Sequence, residues 1–255
     1  MVVLPDQKYP VEGGSLSFDF FRPDGDGPFP LVVFIHGGGW ISGDRTMFRD
    51  EAIWLAPQGF ACACIDYRLA PLYPFPVPVA DCQNFVTFIR GKSEELKIDP
   101  NRITAMGNSA GGHLALMLGL CPNRFDSFDG PFERVSSVVD ICGIADMSDP
   151  SQVHFPIATT FLEQFMDGGF VGREDIWKSA SPLSYLDQAQ GRFLVIHGSN
   201  DDVVPTSQSE RLAEELVSRD VQCRLVVLPG EAHSFTLDGW GHIRKEYVTF
   251  LSSTE

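Results

Sequence analysis

The chain carries a serine between two glycines, in residues 107–111, which read GNSAG. The pattern Gly-x-Ser-x-Gly is typical of a sharp strand-to-helix turn that lifts the serine hydroxyl clear of a sheet. The pattern alone is weak, because it arises often by chance. Its context is stronger, since an apolar run over 103–106 precedes it and the helical pattern GGHLALML follows over 111–118. Ser109 is therefore a candidate nucleophile, with a glycine-flanked serine in a packed turn as the alternative.

A glycine-rich loop, HGGGW, occupies residues 36–40, directly after the apolar run 31–35. Three successive glycines free the backbone to turn its N–H groups towards a bound group, where they can stabilise an oxyanion. A plain glycine-rich loop is the bland alternative. A phosphate cradle is a further alternative, but the Lys-Ser/Thr that completes such a cradle does not follow the loop.

An aspartate and a histidine near the C-terminal end of the sequence are candidates for the acid and the base that a serine nucleophile needs. The strand pattern Phe193–His197 leads into Asp201 and Asp202, and the pattern Arg224–Leu228 leads into His233. Carboxyl ends of sheet strands are where open α/β folds present functional groups. Serine, then aspartate, then histidine is the chain order of α/β-hydrolase triads. The residues alone leave the choice between the two aspartates open.

The elements that must position these residues alternate along the chain. Most strand patterns are unbroken β-branched or aromatic runs, which indicates strands covered on both faces. The predicted strands are Ser15–Phe21, Leu31–Ile35, Phe60–Asp66, Ile103–Gly107, Val135–Cys142, Phe193–His197 and Arg224–Leu228. The predicted helices cover 46–56, 78–91, 207–218 and 239–251, the third opening with a capping box at Ser207 and Glu210. This order predicts a mostly parallel α/β sheet with helices on both faces, and a single domain over 1–255.

Residues 147–192 interrupt that alternation, because they separate two strands by far more than a crossover needs. Within them Phe161, Leu162, Phe165 and Met166 recur at helical spacing. The segment is either a small lid whose apolar face shapes a substrate pocket or an enlarged crossover that packs on the core.

Composition excludes several classes of protein. The 255 residues carry 19 basic and 34 acidic side chains, a net charge of −15, which disfavours nucleic acid and anionic membranes as partners. No apolar run reaches the length that spans a bilayer, and the first residues lack a signal-peptide pattern. The six cysteines lie mostly in apolar segments without metal-ligand spacing, which indicates reduced thiols and a cytoplasmic protein, with secretion open if a leader has been removed. The oligomeric state is left open.

These motifs together resemble the α/β-hydrolase carboxylesterases that carry His-Gly-Gly-Gly, a group related to hormone-sensitive lipase. The resemblance covers roughly 28–251 and includes DYRLAP at 66–71 and DPNRI at 99–103. The later pieces SPL at 181–183 and PTSQSE at 205–210 are closer to small capless feruloyl- or acetylxylan-esterase-like enzymes. Only about fourteen residues precede the first predicted strand, so any cap is expected to come from 147–192 and to be at most a small lid.

The resemblance implies a triad of Ser109, His233 and Asp201. Similar enzymes place the acid four residues after the histidine of a His-Gly pair, and a Val-Pro follows it, as at Val204-Pro205 here. That register favours Asp201 over its neighbour, which is expected to be a solvated loop residue.

The resemblance also implies an oxyanion hole and a pocket. The N–H groups of Gly38, Gly39 and Ala110 are expected to bind the oxyanion, and Trp40 is expected to line the substrate site. No metal and no organic cofactor is implied. The expected partner is a small-molecule ester.

The expected activity is hydrolysis of short-chain carboxylic esters through an acyl-enzyme. The nearest alternative is an arylformamidase, since such enzymes share a His-Gly-Gly-x-Trp loop and a similar serine turn. A peptidase of the prolyl-oligopeptidase type is disfavoured because the chain has no room for a propeller. A non-catalytic ligand receptor on this fold is disfavoured because the chain retains the serine, acid and histidine.

Overall fold

The computed structural model describes residues 1–122, 125, 132–148 and 154–253. Its strands are β1 (Val2–Val11), β2 (Gly14–Arg22), β3 (Phe29–Ile35), β4 (Ala61–Ile65), β5 (Ile98–Asn108), β6 (Ser137–Ile141), β7 (Arg192–Gly198) and β8 (Gln222–Leu228). Its α-helices are α1 (Arg49–Leu55), α2 (Val77–Gly91), α3 (Ser93–Leu96), α4 (Ala110–Leu120), α5 (Pro156–Phe165), α6 (Glu174–Ala180), α7 (Ser207–Val217) and α8 (Leu237–Ser252). Short 3-10 turns cover Arg45–Phe48, Ala56–Gln58 and Pro182–Gln188. Among the described helices, none combines the length and apolar composition needed to cross a bilayer.

The strands form one sheet in the order β1-β2-β4-β3-β5-β6-β7-β8. The pairs β1–β2 and β2–β4 are antiparallel, and every pair from β4 to β8 is parallel. This confirms the predicted mostly parallel α/β-hydrolase fold. Because parallel strands end at the same edge, the loops that follow β3, β5, β7 and β8 come together there. These are the loops that carry the residues singled out above.

Alternate residues of each central strand enter two different apolar cores. On β3, Val33 packs with the core that contains α2, α4 and α7, whereas Val32 and Phe34 pack with the core that contains α1 and α8. Since both faces are covered, the strands read as unbroken apolar runs. Cys62 and Cys64 on β4 both lie in the second core, and all six cysteines are free thiols.

The first strand was not predicted from the sequence. β1 precedes the expected first strand and pairs with β2 at the edge of the sheet. Its prolines at positions 5 and 10 and its mostly exposed side chains remove the apolar run that marks a central strand. Prolines are tolerated there because an edge strand has one unpaired side.

The predicted capping box at Ser207 and Glu210 is wrong. α7 begins one residue earlier than a Ser207 cap requires: Thr206 precedes its first turn and makes no side-chain capping bond. The Thr206 hydroxyl donates instead to the Gly198 carbonyl at 3.2 Å, and Ser209 lies beside His197. The hydroxyl groups of Thr206 and Ser209 therefore contact the end of β7 and not the helix backbone.

Candidate active site

Ser109 lies on a strained turn between β5 and α4. Its backbone has φ 54° and ψ −121°, a region that residues with side chains rarely occupy outside functional sites. The turn is tied to the neighbouring strand, because the Ser109 N–H donates to the Ile141 carbonyl at 2.8 Å. It also brings α4 against β3: a Cβ at Gly111 would lie 2.1 Å from the Ile35 carbonyl oxygen. Only glycine fits that approach.

His233 joins Ser109 to Asp201. Its Nε2 lies 3.0 Å from Ser109 Oγ, and its Nδ1 lies 2.7 Å from Asp201 Oδ2. The loops that follow β7 and β8 hold these two residues in register, since the Asn200 N–H donates to the Glu231 carbonyl at 2.9 Å. The structure thus brings together three residues that are far apart in the sequence.

The Asp201 carboxylate is buried and fully hydrogen-bonded. Its Oδ1 accepts from the N–H groups of Val203 at 2.9 Å and Val204 at 2.8 Å. Burial alone would raise the pKa of Asp201, but hydrogen bonds from His197, His233 and the backbone outweigh burial and hold that pKa far below its ordinary value. The carboxylate is therefore ionised throughout the neutral pH range. Asp202 is exposed and lies outside this network.

The Gly37 and Gly38 carbonyls of the HGGGW loop both have partners in or next to the loop. The Gly37 carbonyl lies 2.8 Å from His36 Nδ1, and the Gly38 carbonyl accepts from Ile41 and Ser42 at 3.1 Å each. In a trans peptide the N–H points opposite to the carbonyl, so the N–H groups of Gly38 and Gly39 point away from these bonds. Gly38 has φ 109°, which glycine alone adopts readily.

Ala110 supplies a third N–H group. It is the first residue of α4, where an N–H has no acceptor within the helix. The helix N-terminus adds a partial positive charge beside the Ser109 hydroxyl. Gly38, Gly39 and Ala110 are thus the candidate donors of an oxyanion hole.

Trp40 was predicted to line the substrate site, but its side chain is buried and lines no open pocket. Its side chain is 1% exposed, and its ring stacks on Phe165 with centroids 4.3 Å apart. The indole N–H donates to Nδ1 of His113 at 3.2 Å, and Nε2 of His113 lies 2.8 Å from the Ala180 carbonyl. Burial lowers the pKa of His113 to about 4, so this ring is a neutral structural link between the glycine loop and the end of α6.

The segment 147–192 both packs on the core and reaches the site. Leu162, Phe165 and Met166 are buried in the core that contains α4, as an enlarged crossover requires. Phe161 is half-buried on the same helix, and a Cβ at Gly39 would lie 2.9 Å from its ring. α5 therefore covers the glycine loop with an aromatic ring. Residues 149–153 of the segment lie outside the described residues.

One group of three potential metal ligands occurs in the described part of the chain. Cys142 Sγ, an Asp201 oxygen and a His233 nitrogen lie within 4.8 Å of one another. The aspartate and histidine atoms already bind each other, and burial raises the pKa of the Cys142 thiol well above its ordinary value. A protonated thiol beside two groups that already bind each other is a poor metal site.

His197 is the residue that sequence reasoning missed. The sequence presents it only as the end of a strand, four residues before Asp201. Its side chain is fully buried, and its Nε2 lies 3.1 Å from Asp201 Oδ2. The signal available in the sequence was a histidine near the carboxyl end of a strand, four residues before the acid in the loop that follows.

The chain matches known proteins over most of its length. The family model BD-FAE matches residues 18–216. Esterase LipC of Mycobacterium tuberculosis is 34% identical over 218 residues, which is 82% of this chain and 54% of LipC. Esterase LipQ of the same organism is 29% identical over 82% of this chain and 51% of its own length. The chain thus spans about half the length of these curated relatives.

Solved structures match the whole fold. The thermophilic esterase Est2 of Thermogutta terrifontis, with propionate bound, superposes with a TM-score of 0.81. The alignment covers 98% of this chain and 94% of that one at 22% sequence identity, so this likeness concerns the fold. With a family model that matches well over half of the residues, the chain belongs to the BD-FAE family of α/β-hydrolase-fold esterases.

Proposed function

We propose that this chain is a serine carboxylesterase that hydrolyses short-chain carboxylic esters. The observation that carries the proposal is the unbroken hydrogen-bonded line from Ser109 Oγ through the His233 ring to Asp201 Oδ2, at 3.0 and 2.7 Å. In serine hydrolases such a line activates the hydroxyl for attack on an acyl carbon. The names of the relatives, which are esterases, support the same chemistry.

The first half of the proposed reaction forms an acyl-enzyme. Ser109 Oγ attacks the ester carbonyl carbon while His233 Nε2 takes its proton, and the carbonyl oxygen becomes an oxyanion. The N–H groups of Gly38, Gly39 and Ala110 stabilise that charge, each by about 3 kcal/mol if it resembles donors of other oxyanion holes. Collapse of the adduct expels the alcohol, which receives the proton from His233.

The second half returns the enzyme to its starting state. Water gives a proton to His233 Nε2 and attacks the acyl carbon, and the carboxylic acid leaves as Ser109 regains its proton. Asp201 stays ionised in both halves and stabilises the imidazolium each time it forms.

Phe161 supports the restriction to short acyl chains. Its ring lies against Gly39, so it occupies space next to the proposed oxyanion hole. A long acyl chain bound there must displace an aromatic side chain that extends from a helix packed on the core. Est2, which shares the fold, was solved with propionate and with butyrate bound.

We further propose a small-molecule ester as the partner and the cytoplasm as the location. The net charge of −15 disfavours anionic polymers and anionic membranes. Six free cysteines, five of them buried, suit a reducing compartment. No step of the proposed reaction uses a metal or an organic cofactor.

The experiment is a substrate panel. Purified protein is assayed with p-nitrophenyl acetate, butyrate, octanoate and palmitate, and with N-formylkynurenine. We expect the highest kcat/KM for acetate or butyrate. A preference for palmitate would contradict the short-chain assignment, and turnover of N-formylkynurenine with no ester hydrolysis would identify an arylformamidase.

A further inference from the structure

A second histidine lies behind the triad aspartate. His197 is the next-to-last residue of β7, and its ring is 0% exposed. Its Nε2 is 3.1 Å from Asp201 Oδ2, the same oxygen that His233 Nδ1 contacts at 2.7 Å. One carboxylate oxygen therefore lies between two imidazole rings, only one of which faces the serine.

The surroundings fix which His197 nitrogen carries a proton. Nε2 faces two acceptors, the Asp201 carboxylate and the Val204 carbonyl at 3.0 Å, so the ring proton is needed on Nε2. Nδ1 lies 2.7 Å from Ser209 Oγ, whose hydroxyl can donate to it. α7 thereby anchors the far side of the ring. A line of polar contacts runs from Ser209 through His197, Asp201 and His233 to Ser109.

We propose that His197 is a positioning residue for the esterase reaction, and this rests on the function proposed above. The two backbone N–H groups hold Asp201 Oδ1, and the His197 N–H fixes the direction of Oδ2. With both oxygens held, the carboxylate plane points at His233 Nδ1, which keeps the base in the orientation and tautomer that accept the serine proton. His197 itself touches no reacting atom.

A purely structural role makes a different prediction. If His197 only fills space and supports the Val204 loop, its replacement lowers the thermal stability and leaves the contact between His233 and Asp201 unchanged. If it also holds Asp201 Oδ2, a variant without a donor at the place of Nε2 lowers kcat and disturbs that contact. The kinetics and the state of the proton between His233 and Asp201 therefore separate the two roles.

The matched variants are His197→Gln and His197→Asn. The glutamine amide nitrogen can reach the place of Nε2 and donate to Asp201. The shorter asparagine amide can reach only the place of Nδ1 beside Ser209. Both are neutral amides, so they differ in where the donor lies and not in charge. Ser209→Ala releases the opposite nitrogen of the native ring and serves as a milder third variant.

The test measures kcat and KM separately with p-nitrophenyl butyrate, together with thermal unfolding. We expect His197→Asn to lower kcat by about 10- to 100-fold with KM within a few-fold of wild type, as for loss of an orienting partner. His197→Gln should recover most of that loss, and Ser209→Ala should lose less than His197→Asn. If folded Gln and Asn variants lose activity equally, or if neither loses any, the proposal is overturned.

A second readout does not depend on turnover. The proton between His233 Nδ1 and Asp201 should give a low-field proton NMR resonance, which His197→Asn shifts or broadens and His197→Gln restores. A resonance that is unchanged in His197→Asn contradicts the positioning role. If wild type hydrolyses no ester, the proposed function fails, but this resonance still tests the link from His197 to Asp201.

Discussion

Asp201 and Asp202 are adjacent, yet only the first points its carboxylate at His233. Successive side chains leave an extended or turning backbone in different directions, so one residue of register decides the contact. The sequence could predict the choice because the spacing to the preceding His-Gly pair fits similar enzymes. It could not predict that Trp40 is buried, since its ring packs on Phe165, 125 positions later in the chain.

The two aspartates give a matched pair of variants. Asp201→Asn should lower kcat by roughly 10⁴-fold, because an amide favours the wrong imidazole tautomer of His233. Asp202→Asn should leave kcat within a few-fold of wild type, since Asp202 is exposed. Steady-state kinetics with p-nitrophenyl butyrate checks both. The reverse pattern would show that the acid of the triad is Asp202.

At the scale of elements, the central strands were predictable from the sequence, whereas the role of the segment between β6 and β7 was only partly predictable. The central strands could be recognised in the sequence because strands buried on both faces form unbroken apolar runs. The role of α5 could not be predicted, because its apolar stripe fits both a lid and a crossover. The contacts show that α5 does both: Leu162 and Phe165 pack in the core, and Phe161 faces Gly39.

The variant Phe161→Ala tests whether the Phe161 ring limits the acyl site. Removal of the ring should open space beside the proposed oxyanion hole and raise the octanoate-to-butyrate ratio of kcat/KM by roughly tenfold, the lower end of what apolar pocket contacts contribute to selectivity. Ile157→Ala is the control, because Ile157 lies one turn earlier on α5 and is 55% exposed. An equal change in the two variants, or an unchanged ratio in Phe161→Ala, would remove Phe161 from the acyl site.

At the scale of the whole molecule, the alternation of strands and helices was sufficient to predict a mostly parallel sheet with helices on both faces. The edge strand β1 was not predicted, because an exposed strand with two prolines lacks the apolar run that marks a central strand. The sequence also gives the sum of charges, −15, but not which acids are buried. Asp140 is one of these, 0% exposed on β6 in the middle of the sheet.

Asp140 should make stability depend on pH. Burial raises the pKa of Asp140 to about 7 from 3.8, although nearby His197 opposes the shift. The folded protein therefore keeps this proton after the unfolded chain has lost it. The resulting stability is fully present below pH 3.8 and is lost as the pH rises through about 7. The total loss from this group is on the order of 4 kcal/mol at most.

Chemical denaturation at several pH values measures this effect. Between pH 4.5 and 7.5 the free energy of unfolding of wild type should fall relative to that of Asp140→Asn, which cannot ionise. Asp202→Asn, with an exposed side chain, should follow wild type. Parallel curves for wild type and Asp140→Asn would mean that Asp140 does not hold a proton in the folded state.

The most direct test of the account is to label and locate the nucleophilic residue. Wild type is treated with diethyl p-nitrophenyl phosphate, and the modified residue is identified by peptide mass spectrometry. We predict one diethylphosphoryl group on Ser109 and none on Ser109→Ala, whose kcat for p-nitrophenyl butyrate should be lower by about 10⁶-fold while the protein stays folded. A group on any other residue, or more than a few per cent of wild-type activity in Ser109→Ala, would contradict a Ser109 nucleophile.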